Sequence, residues 1–292
     1  MLPGTVRPIG RAIPGLRSNL ALRTEAIRFS SVAQFLAVLG RKRFFLIAIL
    51  LALSAGLHAT TSSQAQPATV VESRLTLSQV VEKLTQRNAA RAKALEGYHG
   101  KRVYKLEYKG FPKALSAEMV VEVTYTAPGR KEFKITSESG SKLIVKRVLE
   151  RLIEEETEAQ SEAKRLSVEL NSRNYNFTSL EHQTSADGCS YILGIEPIVP
   201  SKFLYRGRIW VNEKDFAVCR IEAEPSKNPS MWITKTEIHH HYQKFGEFWL
   251  PKENQSVSNI RFGGRAFLTI SYQNYEITAG RGLKDNSASA VQ

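Results

Sequence analysis

Cysteine is nearly absent from this 292-residue chain: there are two, at positions 189 and 219. That excludes a disulfide-dense scaffold, and with no Cys-x-x-Cys pair nothing suggests structural zinc. Long apolar runs are also missing. The longest, Phe44–Leu57, has 14 residues, short of the ~20 that a membrane-spanning helix needs. No Walker loop, dinucleotide fingerprint or Gly-x-Ser-x-Gly elbow occurs, so the common nucleotide-dependent and serine-hydrolase classes have no signature here. Apolar residues, at 42%, are not scarce. They suffice for a sizeable core and exclude wholesale disorder.

The net charge of +13 suggests nucleic acid at first sight, but its distribution weakens the suggestion. Residues 1–65 hold eight Lys or Arg and one acid, Glu25, and carry +7; the remaining 227 residues carry +6. Arg41, Lys42 and Arg43 precede the apolar run, and Ser63-Gln64-Ala65 places small residues at −3 and −1 of a cleavage site. Basic, apolar and small-residue regions in that order read as a secretory signal. An uncleaved signal anchor is the alternative. The 40 residues ahead of the signal are too many for a usual n-region. With no Met between Met1 and Met119, translation starting near Val32, Val38 or Leu39 is one reading, and an Arg-rich organellar presequence is another.

The segment Thr76–Leu95 fits an amphipathic helix, with Leu77, Val80, Val81 and Leu84 on one stripe, Thr76 and Gln79 as a capping box, and Gly97 as the stop. The period then changes to two. Tyr104, Leu106 and Tyr108 form one strand face, Met119, Val121, Val123 and Tyr125 a second, and Phe133 and Ile135 lie on a third. A second helix carries Ile144, Val148 and Leu152 in one row with Val145, Leu149 and Ile153 beside it. Glu154, Glu155 and Glu156 follow and read as a solvated face. From Tyr175 to Ile277 seven strand-like runs alternate with turns, an antiparallel meander. The predicted fold class is α+β: a curled antiparallel sheet of about ten strands forming an incomplete β-barrel, covered by two or more helices.

Candidate chemistry is thin. In His239-His240-His241 only the outer two share a strand face, and two ligands do not make a metal site. No metal and no cofactor is expected. Cys189 and Cys219 read as flanking one intervening strand, ~10 Å apart, too far for a bridge without bending. Gly207-Arg-Ile-Trp210 (with Arg208) and Arg261-Phe-Gly-Gly-Arg265 are basic-aromatic clusters, read mainly as snorkelling arginines. Asn176-Phe-Thr178 and Asn254-Gln-Ser256 are sequons, relevant only to a eukaryotic secretory route. No catalytic residue is assigned, and nucleic acid is not expected as a partner.

What remains is apolar surface. The faces at Tyr104–Tyr108, Val121–Tyr125 and Ala266–Tyr272 are either a filled core or the wall of a lipid cavity. The order of elements resembles the outer-membrane lipoprotein-sorting superfamily of LolA, LolB and RseB type. Tyr205-Arg-Gly-Arg-Ile-Trp-Val-Asn-Glu-Lys-Asp-Phe-Ala-Val-Cys-Arg-Ile-Glu-Ala-Glu-Pro225 is similar to its central hairpin. Phe248-Trp-Leu-Pro251 and Leu268-Thr-Ile-Ser-Tyr-Gln-Asn-Tyr275 also fit, and the likeness spans about residues 75–278.

The resemblance implies an incomplete barrel whose helices form a lid over a hydrophobic cavity, and a periplasmic carrier of acyl chains. The expected lipid-binding residues are Tyr104, Leu106, Tyr108, Val121, Val123, Tyr125, Leu268, Ile270 and Tyr272 on the sheet, with Ile144, Val148 and Leu152 on the covering helix. Expected partners are acylated lipoproteins or lipids and an inner- or outer-membrane protein; the chain is expected to be a monomer and not an enzyme. An RseB-like module that senses the envelope without carrying lipid is the alternative. The expected organisation is an N-terminal extension (1–43), signal h- and c-regions (44–65), a lipid-binding domain (66–280) and a tail (281–292).

Overall fold

The computed structural model describes residues 75–261 and 263–279. The expectations for residues 1–74 and for the tail lie outside them. Helix α1, Leu77–Ala94, opens with the expected capping box: the Thr76 hydroxyl accepts from the Gln79 N–H at 3.4 Å, and the Gln79 side chain accepts from the Thr76 N–H at 2.8 Å. Thr76→Ala is expected to cost about 1 kcal/mol, read as a lower urea midpoint; an unchanged midpoint would mean that packing alone holds this turn. Gly97 does not stop the helix. The chain turns extended at Leu95 and runs straight into β1, Leu95–Gly110. Gly97 lies inside that strand, where an added Cβ would come within 2.8 Å of the Tyr125 carbonyl oxygen, so close strand approach explains the glycine.

The other strands are β2 (Leu115–Thr126), β3 (Arg130–Gly140), β4 (Tyr175–His182), β5 (Tyr191–Pro197), β6 (Tyr205–Val211), β7 (Val218–Pro225), β8 (Ile233–Phe245), β9 (Phe248–Ile260) and β10 (Gly264–Ala279). They make one ten-stranded sheet in the order β3-β2-β1-β10-β9-β8-β7-β6-β5-β4, and every neighbouring pair is antiparallel. The sheet is not closed into a barrel, since β3 and β4 are its two edges. Between β3 and β4 lie helix α2, built of the consecutive segments Lys142–Ile144, Val145–Leu149 and Glu150–Glu158, and helix α3, Glu162–Ser167.

One cross-strand row fixes the inner face. Met119, Tyr104, Ile270, Asn254, His240, Ile221, Ile209 and Leu193 are successive register partners from β2 to β5, and all eight are buried. Two apolar bays result. One unites β1, β2 and β10 with α2, the other β5–β8 with Val80, Val81 and Leu84 of α1. Between them runs a buried polar seam: Asn254, Ser256 and Ser258 of β9, with Thr236 and His240 of β8. It is hydrogen-bonded, Thr236 to Ser258 at 2.9 Å and Asn254 to Tyr272 at 2.9 Å, as buried polar groups must be. The histidine run therefore straddles the sheet. His241 is exposed on the outer face while His240 is buried against the Tyr205 ring, as alternation along the strand requires.

The cysteines correct a second expectation. Cys189 and Cys219 form a disulfide with their Cα atoms 6.3 Å apart. The objection assumed that both stand within paired strands. Cys189 instead precedes β5, which begins at Tyr191 opposite Val211, the last residue of β6. Its loop passes beyond the end of the intervening strand and reaches β7 beside the irregularity at Trp210/Val211.

Candidate functional site

The bay under α2 gathers the expected residues. Tyr104, Leu106 and Tyr108 come from β1, Val121 and Val123 from β2, Leu268, Ile270 and Tyr272 from β10, and Ile144, Val148 and Leu152 from α2. Tyr125 falls instead into the adjoining cluster of Leu95, Phe248 and Leu250. All twelve are between 0 and 7% exposed. Strand alternation thus gave the right face, and the covering helix fills it with its own side chains.

The width of the apolar stripe on α2 has a structural cause. Residues Val145–Leu149 form a π-helical turn, closed by the Glu150 N–H donating to the Val145 carbonyl. The wider turn lets Val145 and Leu149 join Ile144, Val148 and Leu152 against the sheet, and all five are buried. Such turns cost regular hydrogen bonding and are frequent at functional sites. Gly140, the last residue of β3, has a φ of +82° that suits glycine, and Ser141 follows as the N-cap of the helix.

Sequence reasoning missed what fastens the far end. Glu156, expected on a solvated face, is 1% exposed. Its carboxylate accepts from Arg102 Nη1 of β1 at 2.8 Å and from Lys131 Nζ of β3 at 2.8 Å. Arg102 Nη1 also donates to the Tyr104 hydroxyl at 3.2 Å, and its guanidinium lies over the Phe133 and Tyr272 rings. Four residues on, Gln160 takes the place of a strand: its Oε1 accepts from the Lys131 N–H at 3.1 Å and its Nε2 donates to the Lys131 carbonyl at 2.9 Å. The edge strand β3 is thereby capped by a side chain from the turn that follows α2. The signal for Glu156 was available, since it continues the row Ile144, Val148, Leu152 at a spacing of four.

Electrostatically the bay is otherwise neutral. Burial pushes the phenols of Tyr108 and Tyr125 above their ordinary range, so both stay protonated at any physiological pH. The Tyr108 hydroxyl donates to the Phe111 carbonyl at 2.7 Å. The lining of the bay is thus phenols and aliphatic side chains, with a sequestered ion triad at one end.

By sequence, no family model and no curated protein matches the chain. Solved structures do. The chain is similar to LolA-superfamily proteins. One, from Nitrosomonas europaea, shares 9% identity over 70% of this chain and 94% of that one, with a TM-score of 0.31. A domain described as an outer membrane lipoprotein-sorting protein, from Vibrio parahaemolyticus, shares 10% over 70% and 94%, with a TM-score of 0.34. A DUF1329 family protein from Desulfovibrio piger shares 12% over 72% and 95%, with a TM-score of 0.37. Among the described residues no helix is long and apolar enough to cross a membrane.

Proposed function

We propose that this chain is a periplasmic carrier-type protein that shields an acyl chain between the inner face of its sheet and α2, without covalent catalysis. The observation that carries the reading is the manner in which α2 covers the bay. Its apolar stripe fills the site, and its C-terminal end is fastened by a few polar groups only, the buried Glu156 and, just past the helix, Gln160. A helix so held can lift at that end and leave its place to a ligand of the same character. Its π-helical turn is the weak point about which it would move.

The energetics favour such a device. Each buried methylene is worth about 0.8 kcal/mol, so a sixteen-carbon chain free in water costs on the order of 10 kcal/mol. An acylated protein or lipid therefore needs a shield to cross an aqueous gap, and a shield that refills its own bay promotes release. The disulfide fits a chain that folds in an oxidising compartment, and residues 66–280 would form the lipid-binding domain behind a cleaved signal. Native mass spectrometry of the protein isolated from a bacterial periplasm without detergent tests the reading. Bound mass of acyl-chain or phospholipid size is expected. A clean apo mass that also takes up no fluorescent fatty acid would mean a permanently filled core and an interaction module instead.

A further inference from the structure

The two ends of the sheet carry unlike turns. At the end where α2 begins, four connections meet: residues 111–114 between β1 and β2, Ser141 between β3 and α2, 226–232 between β7 and β8, and 261–263 between β9 and β10. Backbone hydrogen bonds lace them to one another and to the strands. The Phe111 N–H donates to the Gly263 carbonyl at 3.2 Å, the Arg261 N–H to the Trp232 carbonyl at 2.7 Å, and the Ser141 N–H to the Ser116 carbonyl at 2.7 Å. Behind them Leu115, Trp232 and Ile260 pack against the core of the bay. The tips therefore stand on buried supports.

These tips are apolar and basic. Phe111 is 81% exposed, Met231 75% and, in the first turn of α2, Leu143 43%. Lys113, Lys142, Lys227 and Arg261 are exposed beside them in the chain, and among the described residues none of the four is in an ion pair. The segments 111–114, 141–143, 226–232 and 261–263 hold no acid. Two carboxylates on the strands close to this end are already engaged, Glu107 by Lys105 and Lys109, and Glu224 by Arg206. At the other end the sign reverses: residues 212–217 carry two acids against Lys214, and Gly246-Glu247 carries one acid and no cation. The core of a protein–protein contact is depleted of lysine. Single apolar side chains set among free cations suit the headgroup layer of an anionic membrane, which takes up both.

We propose that this end of the sheet docks on an anionic membrane surface, with Phe111, Leu143 and Met231 in the interface and Lys113, Lys142, Lys227 and Arg261 among the lipid phosphates. The proposal goes beyond the carrier reading and does not depend on what the bay holds. The test uses protein isolated from a bacterial periplasm. It is floated with vesicles of phosphatidylcholine and phosphatidylglycerol in equal parts, and with phosphatidylcholine alone. Binding to the mixed vesicles is expected, and binding to the neutral ones should be at least about a hundredfold weaker. Lys113→Gln with Arg261→Gln should weaken binding roughly twentyfold, since each cation at such a surface contributes about fivefold. Lys93→Gln with Lys214→Gln removes the same charge toward the far end, and should change binding less than about twofold. Phe111→Ser with Met231→Ser, at exposed positions that leave the fold intact, should weaken it about tenfold or more. Brominated acyl chains should quench Trp232 and not Trp210 or Trp249, which lie toward the far end of β6 and β9, so Trp232→Phe should abolish the quenching. Failure to bind the mixed vesicles, or equal loss in the near-end and far-end lysine variants, would overturn the proposal. Binding that Phe111→Ser with Met231→Ser leaves unchanged would overturn it too. Uptake of a fluorescent fatty acid without vesicles reports on the bay alone, so the carrier reading and the docking end fail separately.

Discussion

Replacing Glu156 by alanine will destabilise the protein by about 3–5 kcal/mol, the loss expected when one partner leaves a buried ion cluster. Arg102 and Lys131 are each almost fully buried, and both are 2.8 Å from this carboxylate. Removing it leaves two like charges facing one another in a medium where charge is costly. The isosteric Glu156→Gln keeps one acceptor oxygen and should lose less. Replacing all three together by well-packed apolar residues should recover most of the loss, because the desolvation of three charged groups offsets much of what their attraction contributes. Urea unfolding of the single, conservative and triple variants checks this. A loss below 1 kcal/mol for Glu156→Ala would mean that the cluster is open to water and does not hold α2 down.

That triad also marks the limit of what the sequence conveys. Period-two alternation was enough for the sheet: ten strands, the antiparallel meander and the buried faces of β1, β2 and β10 all follow from residues such as Tyr104, Val121 and Ile270. The helical stripe of α2 was likewise legible, because Ile144, Val148 and Leu152 repeat at a spacing of four. Glu156 was lost because three consecutive glutamates resemble a solvated run, although only one continues the row. Its partners lie 54 and 25 residues away, and no local pattern announces a contact at such distances. The closing pair β1–β10 is hidden for the same reason. The strand β10 adds another difficulty: its inward positions are even through Tyr272, and the extra residue at Asn274 hands the role to Tyr275 and Ile277. A bulge of one residue inverts every facing beyond it. The inner polar row of β9 was visible as letters, Asn254, Ser256 and Ser258, yet alternation of small polar residues gives no clue to which side is buried. Helix α1 passing directly into β1 broke the rule that a glycine ends a helix, since Gly97 answers to the neighbouring strand.

The second large effect is expected at the disulfide. Cys189→Ala with Cys219→Ala should lower stability by roughly 3–4 kcal/mol, the loop-closure value for a bridge that spans 30 residues. The bridge ties the loop ahead of β5 to β7, across the end of β6. Both cysteines are buried with Ile192 and Trp210 in a small cluster on the outer face, against which Trp249 packs. Arg220 lies 3.8 Å from the centre of the Trp210 ring, so the tryptophan is held between the cluster and a cation. The loop has its own polar ties, Glu213 N–H to the Gly188 carbonyl at 2.9 Å and Asn212 Nδ2 to the Asp187 carbonyl at 3.2 Å. These should keep it near its place in the variant, so the loss should come chiefly from the unfolded state. Urea unfolding of the double variant, beside wild type with and without reductant, separates the two origins. Equal losses for reduction and substitution, with native tryptophan emission retained, are expected. A loss confined to the variant would assign the effect to packing in the Trp210 cluster. A loss under 1 kcal/mol in both would mean that the loop ties, and not the covalent bond, hold this end of the sheet.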